Sequence, residues 1–233
     1  MSGTSKRVVS AEKAEASLRY KARWRALHGD VELTPVVDRW LSISFRIART
    51  LNALHLTPNA LSLLGGLFAI ATFISAHSWF ALLFLTLSLL ADGVDGSLAI
   101  FQSRESLRGA LIDSTVDRIS EFFWLLALLS IGGNLSIALA IYVFALTQEY
   151  VRARLLGVGD YETGVVTIGE RPHRVIYFAF ALIAYQLRLV FDWQSNSALI
   201  AVLFAWAVIQ FISLMMVLRN AYTQITIKDR LSN

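Results

Sequence analysis

Long apolar stretches alternate along the chain with short polar or glycine-containing breaks. Most stretches approach the roughly 20 residues that an α-helix needs to cross a bilayer. The breaks include residues 77–78, 102–108 and 132–134, and a longer loop with room for structure of its own covers residues 157–174. The pattern predicts an all-α integral membrane protein. Its six transmembrane helices are predicted at residues 60–76, 79–99, 110–131, 135–155, 175–191 and 198–218.

Residues 37–54 have a different, amphipathic pattern. At about 100° per residue, one apolar stripe and an opposite group of arginines emerge. A surface helix beside the membrane is predicted, with a tilted extra span as the alternative. The first 30 residues lack a continuous apolar core, so no cleavable signal peptide is expected. The stripe consists of Trp40, Ile43, Ile47, Leu51 and Leu54, and the arginines are Arg39, Arg46 and Arg49.

The composition supports a membrane protein, with 56% hydrophobic and 16% charged residues. The absence of cysteine excludes disulfides and thiolate metal sites, so a metal would have to bind oxygen or histidine. The net charge is +4, and the basic residues lie beside apolar segments instead of in a separate basic domain. This distribution argues against nucleic acid as a partner.

Basic residues also predict the orientation, because cytoplasmic loops carry an excess of lysine and arginine. They cluster before residue 56, between the second and third spans, and around the loop after the fourth, whereas the opposite side has Arg188 alone. Both termini are therefore expected in the cytoplasm. The expected location is the plasma membrane of a prokaryote. The expected divisions are a cytoplasmic segment at 1–56, a six-helix domain at 57–222 and a tail at 223–233.

Four aspartates, Asp92, Asp95, Asp113 and Asp117, lie within otherwise apolar sequence. An acid in mid-membrane costs roughly 2.5–3.5 kcal/mol on insertion scales, so such acids usually mark function. Their spacings of three and four place each pair on one helix face, and the short connection makes the two helices antiparallel neighbours. Converging carboxylates would repel unless a divalent cation bound them, and hard oxygen ligands suit Mg²⁺ or Mn²⁺. All four are candidate metal ligands.

Together with Gly96, Ala99 and Gly109, these acids match all but one of the fixed positions of a spaced signature: Asp-x-x-Asp-Gly-x-x-Ala-Arg, eight residues, then Gly-x-x-x-Asp-x-x-x-Asp. On this signature the chain resembles the CDP-alcohol phosphatidyltransferases. The resemblance implies a metal-dependent transfer in which Asp117 also acts as the catalytic base. It further implies a homodimer and CDP-diacylglycerol as the lipid donor. The candidate donor-binding residues are Asn59, Gly96, Ala99, Arg104, Ser106 and Gly109.

One position departs from the signature, because Ile100 stands where the family has arginine. Arginine offers a permanent charge and a fork of donors that isoleucine lacks. Arg104, on the same helix face if the second span continues that far, or Arg108 would have to reach the donor diphosphate. Alternatively, both arginines only extend to lipid headgroups, and the chain is a weakly active or non-catalytic lipid-binding paralogue.

Four arginines bracket the cytoplasmic ends of the fourth and fifth spans, in the segments 150–154 and 170–174. These segments resemble the phosphatidylinositol-phosphate synthases within the family, which implies inositol 1-phosphate as the acceptor. Glycerol 3-phosphate is the main rival because it has the same phosphate. Ordinary positive-inside topology is the alternative explanation, and a proton-coupled transporter is the alternative class. The candidate phosphate ligands are Arg152, Arg154, Arg171 and Arg174.

Overall fold

The computed structural model describes residues 2–27, 30, 32–158 and 165–232. Within these ranges the backbone forms helices joined by turns and loops, without a strand, which confirms the predicted all-α class. The helices are α1 Ser2–Leu27, α2 Pro35–Ala53, α3 Pro58–Ile74, α4 Phe80–Gln102, α5 Leu107–Ser130, α6 Leu135–Val158, α7 Arg171–Val190 and α8 Ser197–Ser232.

Each of the six predicted apolar segments corresponds to one helix, from α3 to α8 in chain order. Local side chains determine where several of these helices begin. Thr57 Oγ1, Ser106 Oγ and Asn134 Oδ1 each accept a hydrogen bond from the backbone N–H three residues later, at 3.3, 3.0 and 3.1 Å. Such N-terminal N–H groups have no partner within the helix, so these caps stabilise the starts of α3, α5 and α6.

Helix α8 is longer than its predicted apolar segment, which ends at residue 218. It continues to residue 232, because neither glycine nor proline occurs between residues 197 and 232 to interrupt it. The apolar pattern marks only the part of a helix that can be buried or can face lipid, whereas the helix itself ends where the backbone is broken.

By length and composition, two described helices could cross a membrane: Phe80–Gln102 and Ser197–Lys228. Helices α2 and α3 meet at a bend of 102°, and together they would count as a third, broken span. Six crossings are therefore not confirmed by this measure. Helix α3 has only 17 residues, and charged side chains interrupt the apolar sequence of α5.

Helix α2 confirms the helix predicted at residues 37–54, but its buried face is not the predicted stripe. Its buried residues are Leu41, Ser44, Phe45 and Ala48. Trp40, Ile43 and Leu54 of the predicted stripe are exposed, whereas Ile47 and Leu51 are partly buried. Neighbouring helices cover a different side of α2 and leave most of the predicted stripe uncovered. The position of this helix beside the membrane stays a prediction. The predicted arginines, Arg39, Arg46 and Arg49, are all exposed.

The sequence pattern did not predict α1, since this segment has no apolar face of its own. Tyr20 is 4% exposed, and its ring packs against Phe45 at a centroid distance of 5.5 Å. Phe45 in turn packs against Phe101, also at 5.5 Å. A salt bridge of 2.5 Å joins Lys21 to Asp38 on α2. An aromatic anchor and an ion pair to α2 therefore help to hold a largely polar helix.

The chain divides into two compact units, and α3, α4 and α5 contribute residues to both. The first unit comprises Met1–Gly66 and Leu90–Val116. It contains the N-terminal cluster, defined as Tyr20, Leu41 and Phe45, and a second apolar cluster that includes Val94 and Leu98. The second unit comprises Leu67–Leu89 and Asp117–Asn233, with a larger core built from α4 to α8.

Replacing Phe45 by alanine tests whether the N-terminal cluster holds α1. We expect Phe45→Ala to cost about 3–5 kcal/mol of packing free energy, as for other buried aromatics. The purified protein should melt at a lower temperature, and protease should cleave α1 faster. Val36→Ala on the same helix is the control, because Val36 is 79% exposed. Equal protease sensitivity in both variants would contradict this role for Phe45.

Candidate functional site

A cavity of about 350 Å³ lies in the first unit. Asp92, Asp95 and Asp113 are among its lining residues. The same cavity therefore contains three of the predicted metal ligands and every predicted donor-binding residue. The donor-binding residues that line it are Asn59, Gly96, Ala99, Arg104, Ser106 and Gly109.

Two glycines, Gly96 and Gly109, leave space in the cavity because they have no side chain. A Cβ added at Gly96 would meet no atom within 4 Å, so the backbone there is accessible to a ligand. A Cβ at Gly109 would lie 3.2 Å from Ser106 Oγ and 3.3 Å from Asn59 Oδ1. Glycine at this position therefore lets two polar side chains of the cavity approach the start of α5.

Helices α3 and α5 both begin at this cavity, with Pro58 and Asn59 on one and Ser106 and Gly109 on the other. The N-terminus of a helix carries a partial positive charge and free N–H groups, which favour anions such as phosphates. Arg104 adds a full positive charge to the same lining. The cavity thus combines acidic and anion-binding groups, as a site for a metal-bound phosphate requires.

The acids of α4 and α5 lie close to one another. Carboxylate oxygens of Asp92 and Asp113 lie within 4.8 Å of each other. Asp117 follows Asp113 by one turn on α5. Hard carboxylate oxygens at this separation fit a divalent cation such as Mg²⁺ or Mn²⁺.

Asp95 is held differently from the other acids. It is 6% exposed, and Ser62 Oγ donates a hydrogen bond of 2.5 Å to its Oδ2. The backbone N–H of Gly96 donates to Oδ1, also at 2.5 Å. Both oxygens already accept hydrogen bonds, so a role for Asp95 as a metal ligand stays a prediction. Ser62, which the sequence pattern did not indicate, fixes this carboxylate.

The end of α4 decides where Arg104 lies relative to Ile100. The helix stops at Gln102, and Ser103 adopts a positive φ of 51°. The backbone N–H of Arg104 then donates to Ala99 O at 2.9 Å, in a helix-ending turn. The helix therefore does not continue to Arg104, so the condition for a shared helix face with Ile100 is not met. This turn, instead of a shared helix face, places Arg104 in the lining with Ile100, whereas Arg108 does not line the cavity.

In the second unit, Arg152 pairs with Glu170, which immediately precedes α7. Two guanidinium nitrogens donate to the Glu170 carboxylate at 2.5 Å, and Nη2 also donates to Val165 O at 2.8 Å. Glu170 accepts further hydrogen bonds from the N–H and hydroxyl of Thr167. Burial raises the pKa of Glu170, but hydrogen bonds from Arg152 and Thr167 outweigh burial and hold the pKa below its ordinary value. Residues 159–164 of this loop lie outside the described residues.

Two other predicted acceptor arginines also have carboxylate partners. Arg171 Nη1 lies 2.7 Å from Asp117 Oδ1. Arg174 is 1% exposed and lies 3.2 Å from Glu121 and 2.7 Å from Glu149. By contrast, Arg154 is exposed. The four arginines therefore differ in environment, with one beside the predicted base and one wholly buried.

Some residues of these sites escaped the sequence analysis. Glu121 could have been found, since it continues the four-residue spacing of Gly109, Asp113 and Asp117. No local signal marked Trp24 and Trp40 as lining residues of the cavity, because α1 and α2 reach it only through tertiary packing.

The fold and these sites define the class: the chain is an integral membrane enzyme of the CDP-alcohol phosphatidyltransferase family. A family model described as CDP-alcohol phosphatidyltransferase matches residues 55–221. The chain is 30% identical to archaetidylinositol phosphate synthase of Pyrococcus horikoshii, over 54% of this chain and 70% of that protein. It is 29% identical to phosphatidylinositol phosphate synthase of Cutibacterium acnes, over 57% of this chain and 70% of the other.

Two crystal structures of phosphatidylinositol phosphate synthase from Mycobacterium tuberculosis share the fold. The one with bound CDP-DAG is 24% identical and has a TM-score of 0.61. The match covers 78% of this chain and 94% of the other chain. The one in complex with manganese and citrate is 23% identical and has a TM-score of 0.60. That match covers 77% of this chain and 89% of the other chain. The predicted family is confirmed.

Removing one carboxylate charge tests the metal site. We expect Asp92→Asn and Asp113→Asn each to weaken Mn²⁺ binding by roughly 10- to 100-fold or more. Loss of a residue that only hydrogen-bonds to a metal ligand already lowers metal affinity by this factor, and each aspartate is a proposed ligand itself. Paramagnetic resonance of free Mn²⁺ measures the affinity directly. Asp192→Asn is the control, since Asp192 is exposed and its φ of 50° suits asparagine. Unchanged Mn²⁺ affinity in both site variants would rule out this site.

The pH dependence of stability tests the pair of Arg152 and Glu170. A glutamate whose pKa falls on folding stabilises the protein above its ordinary pKa of 4.5. Wild type should therefore melt at a higher temperature than Glu170→Gln near neutral pH. The difference should shrink as the pH falls below about 4.5 and through the lower pKa of the folded protein. Glu32→Gln, at an exposed site, should melt like wild type throughout. A difference that does not change with pH would contradict the ionic pair.

Proposed function

We propose that this enzyme transfers a phosphatidyl group from CDP-diacylglycerol to the hydroxyl of a phosphorylated alcohol, namely inositol 1-phosphate. The products are phosphatidylinositol phosphate and CMP. The observation that carries this proposal is that one cavity is lined by Asp92, Asp95 and Asp113 together with all six predicted donor-binding residues. The names of the two relatives differ in their lipid part but share an inositol phosphate part.

The donor diphosphate fits the chemistry of this cavity. Arg104 and the N-termini of α3 and α5 offer positive charge, and Gly96 leaves the backbone of α4 open to the ligand. A divalent cation, Mg²⁺ or Mn²⁺, held by Asp92 and Asp113 would neutralise negative charge on the diphosphate and on the departing CMP. Asp117, and Asp95 if Ser62 releases it, would complete the ligand set.

Asp117 is the proposed general base. Its carboxylate takes the proton of the acceptor hydroxyl, whose oxygen forms a bond to the phosphorus that carries the lipid. The bond between that phosphorus and the bridging oxygen breaks, and CMP leaves with the electron pair. Arg171 supports this assignment, because it contacts Asp117 and could bind the phosphate of the acceptor beside the base.

The acceptor arginines have different proposed roles. Arg171 and the exposed Arg154 are the proposed direct ligands of the acceptor phosphate, since a guanidinium can bind phosphate oxygens in pairs. Arg152 donates two hydrogen bonds to Glu170, and the buried Arg174 lies between two carboxylates, so we assign them to holding Glu170 and Glu149 in place. Their charge still favours an anionic acceptor over plain inositol or serine.

A phosphorylated acceptor leaves glycerol 3-phosphate as the second candidate, because it has the same phosphate and a smaller alcohol. The inositol phosphate shared by the relatives' names favours the first candidate. A non-catalytic paralogue would follow if Ile100 abolished donor binding. The position of Arg104 in the cavity lining supports activity instead.

We further propose that α3 to α8 make six crossings, with both termini and the site in the cytoplasm of a prokaryote. Helices α5 and α7 could tolerate their charges where they line a site or pair with one another. Arg188, after the fifth proposed crossing, would lie on the opposite side. A homodimer is expected from the family.

The decisive experiment measures CMP release from purified protein with CDP-diacylglycerol, Mg²⁺ and one acceptor at a time. We expect release with inositol 1-phosphate, less with glycerol 3-phosphate, and none with inositol or serine. Asp117→Asn should retain donor binding but lose roughly 100-fold or more of the rate, because only the proton acceptor is removed. Release that is faster with an uncharged acceptor would contradict the acceptor assignment. Full activity of the Asp117→Asn variant would contradict the role of Asp117 as the base.

A further inference from the structure

Two helices outside the family match form part of the donor cavity. Trp24 and Leu27 of α1 and Trp40 of α2 line it, whereas the family model begins at residue 55. The ring of Trp40 lies against α4, since a Cβ added at Gly93 would meet it at 3.3 Å. This wall therefore comes from residues outside the part of the chain that the family model matches.

The position of α1 beside the cavity is fixed by several contacts around Trp24. Tyr20, one turn earlier, is buried in the N-terminal cluster. Arg23 forms a salt bridge of 2.9 Å with Glu105, which lines the cavity. Trp24 itself is half-buried and packs against the cluster. These contacts hold the indole ring at the cavity wall before any ligand binds.

The departure at Ile100 is connected to this arrangement. Ile100 lines the cavity and also packs against the N-terminal cluster of Tyr20, Leu41 and Phe45. The signature's arginine at this place would put a charge against apolar rings, at a substantial desolvation cost. Isoleucine at position 100 is thus compatible with the packing of α1, whereas arginine at the same position would disfavour that packing.

We propose that α1 completes the donor site and that the indole ring of Trp24 contacts the cytosine base of the CDP-lipid. This inference depends on the proposed function, because it assumes a cytidine-diphosphate donor. Trp40 forms the adjoining part of the same wall. Ile100 contributes by anchoring α1 in place of binding the diphosphate.

The base, and not the lipid tails, fits the wall that α1 forms. Exposed Arg19, Arg23 and Arg25 on α1 are too costly to place in hydrocarbon, so this side of the cavity meets water. The base is the water-facing end of a CDP-lipid, whereas the tails extend into the bilayer. Aromatic side chains bind bases by stacking, which alanine substitution weakens by about 1–3 kcal/mol, or roughly 5- to 150-fold.

Binding of CMP to the purified full chain, in the presence of Mn²⁺, tests the proposal without requiring turnover. Ribose 5-phosphate, which has the sugar and phosphate but no base, is the matched probe. We expect Trp24→Ala to weaken CMP binding by about tenfold and leave ribose 5-phosphate binding unchanged. Trp24→Phe should recover most of the CMP affinity. In turnover, Trp24→Ala should raise KM for the donor and change kcat little.

Leu18→Ala is the control on the same helix, because Leu18 is 67% exposed and does not line the cavity. It should bind CMP like wild type. If Trp24→Ala also binds CMP like wild type, Trp24 only packs α1 and the proposal is overturned. Equal weakening for CMP and ribose 5-phosphate would overturn it too, since that result reports a general loss of the cavity. A wild-type chain that binds no CMP would overturn the proposed function together with this inference.

Discussion

Four carboxylates lie in apolar helices, and each needs a partner that offsets its negative charge. The rest of the structure depends on this constraint. An uncompensated charge in such surroundings is costly. Asp95 accepts hydrogen bonds from Ser62 and from the backbone, and Asp117 pairs with Arg171. Asp92 and Asp113 bring their oxygens close together, an arrangement that a divalent cation stabilises. The groups that solve this electrostatic problem are also the ones to which we assign catalytic roles.

The buried ion pairs of the second unit act through geometry more than through stability. Desolvation offsets much of the attraction in a buried pair, while loss of one partner leaves a costly charge. Arg174 between Glu121 and Glu149, and Arg152 on Glu170, therefore restrict where the ends of α6 and α7 can lie. Such preorganisation would place charges for an anionic acceptor before it arrives.

The departure at Ile100 shows how a missing functional residue can reflect a change in packing. With α1 in place, the position that the signature gives to arginine faces an apolar cluster. Arg104 reaches the cavity from the turn after α4, where its charge remains exposed to solvent. In the proposed donor site, charge for the diphosphate and packing for α1 thus come from different residues.

The sequence by itself determined the helix class, the places of α3 to α8 and the acids of the site, because periodicity and spacing act within one helix. Gly109, Asp113 and Asp117 share a face of α5 whatever surrounds it. Only the tertiary structure decided which face of α2 is buried, that Ser62 holds Asp95, and that Trp24 lines the cavity. These features arise from contacts between residues far apart in the chain, for which a local pattern carries no signal.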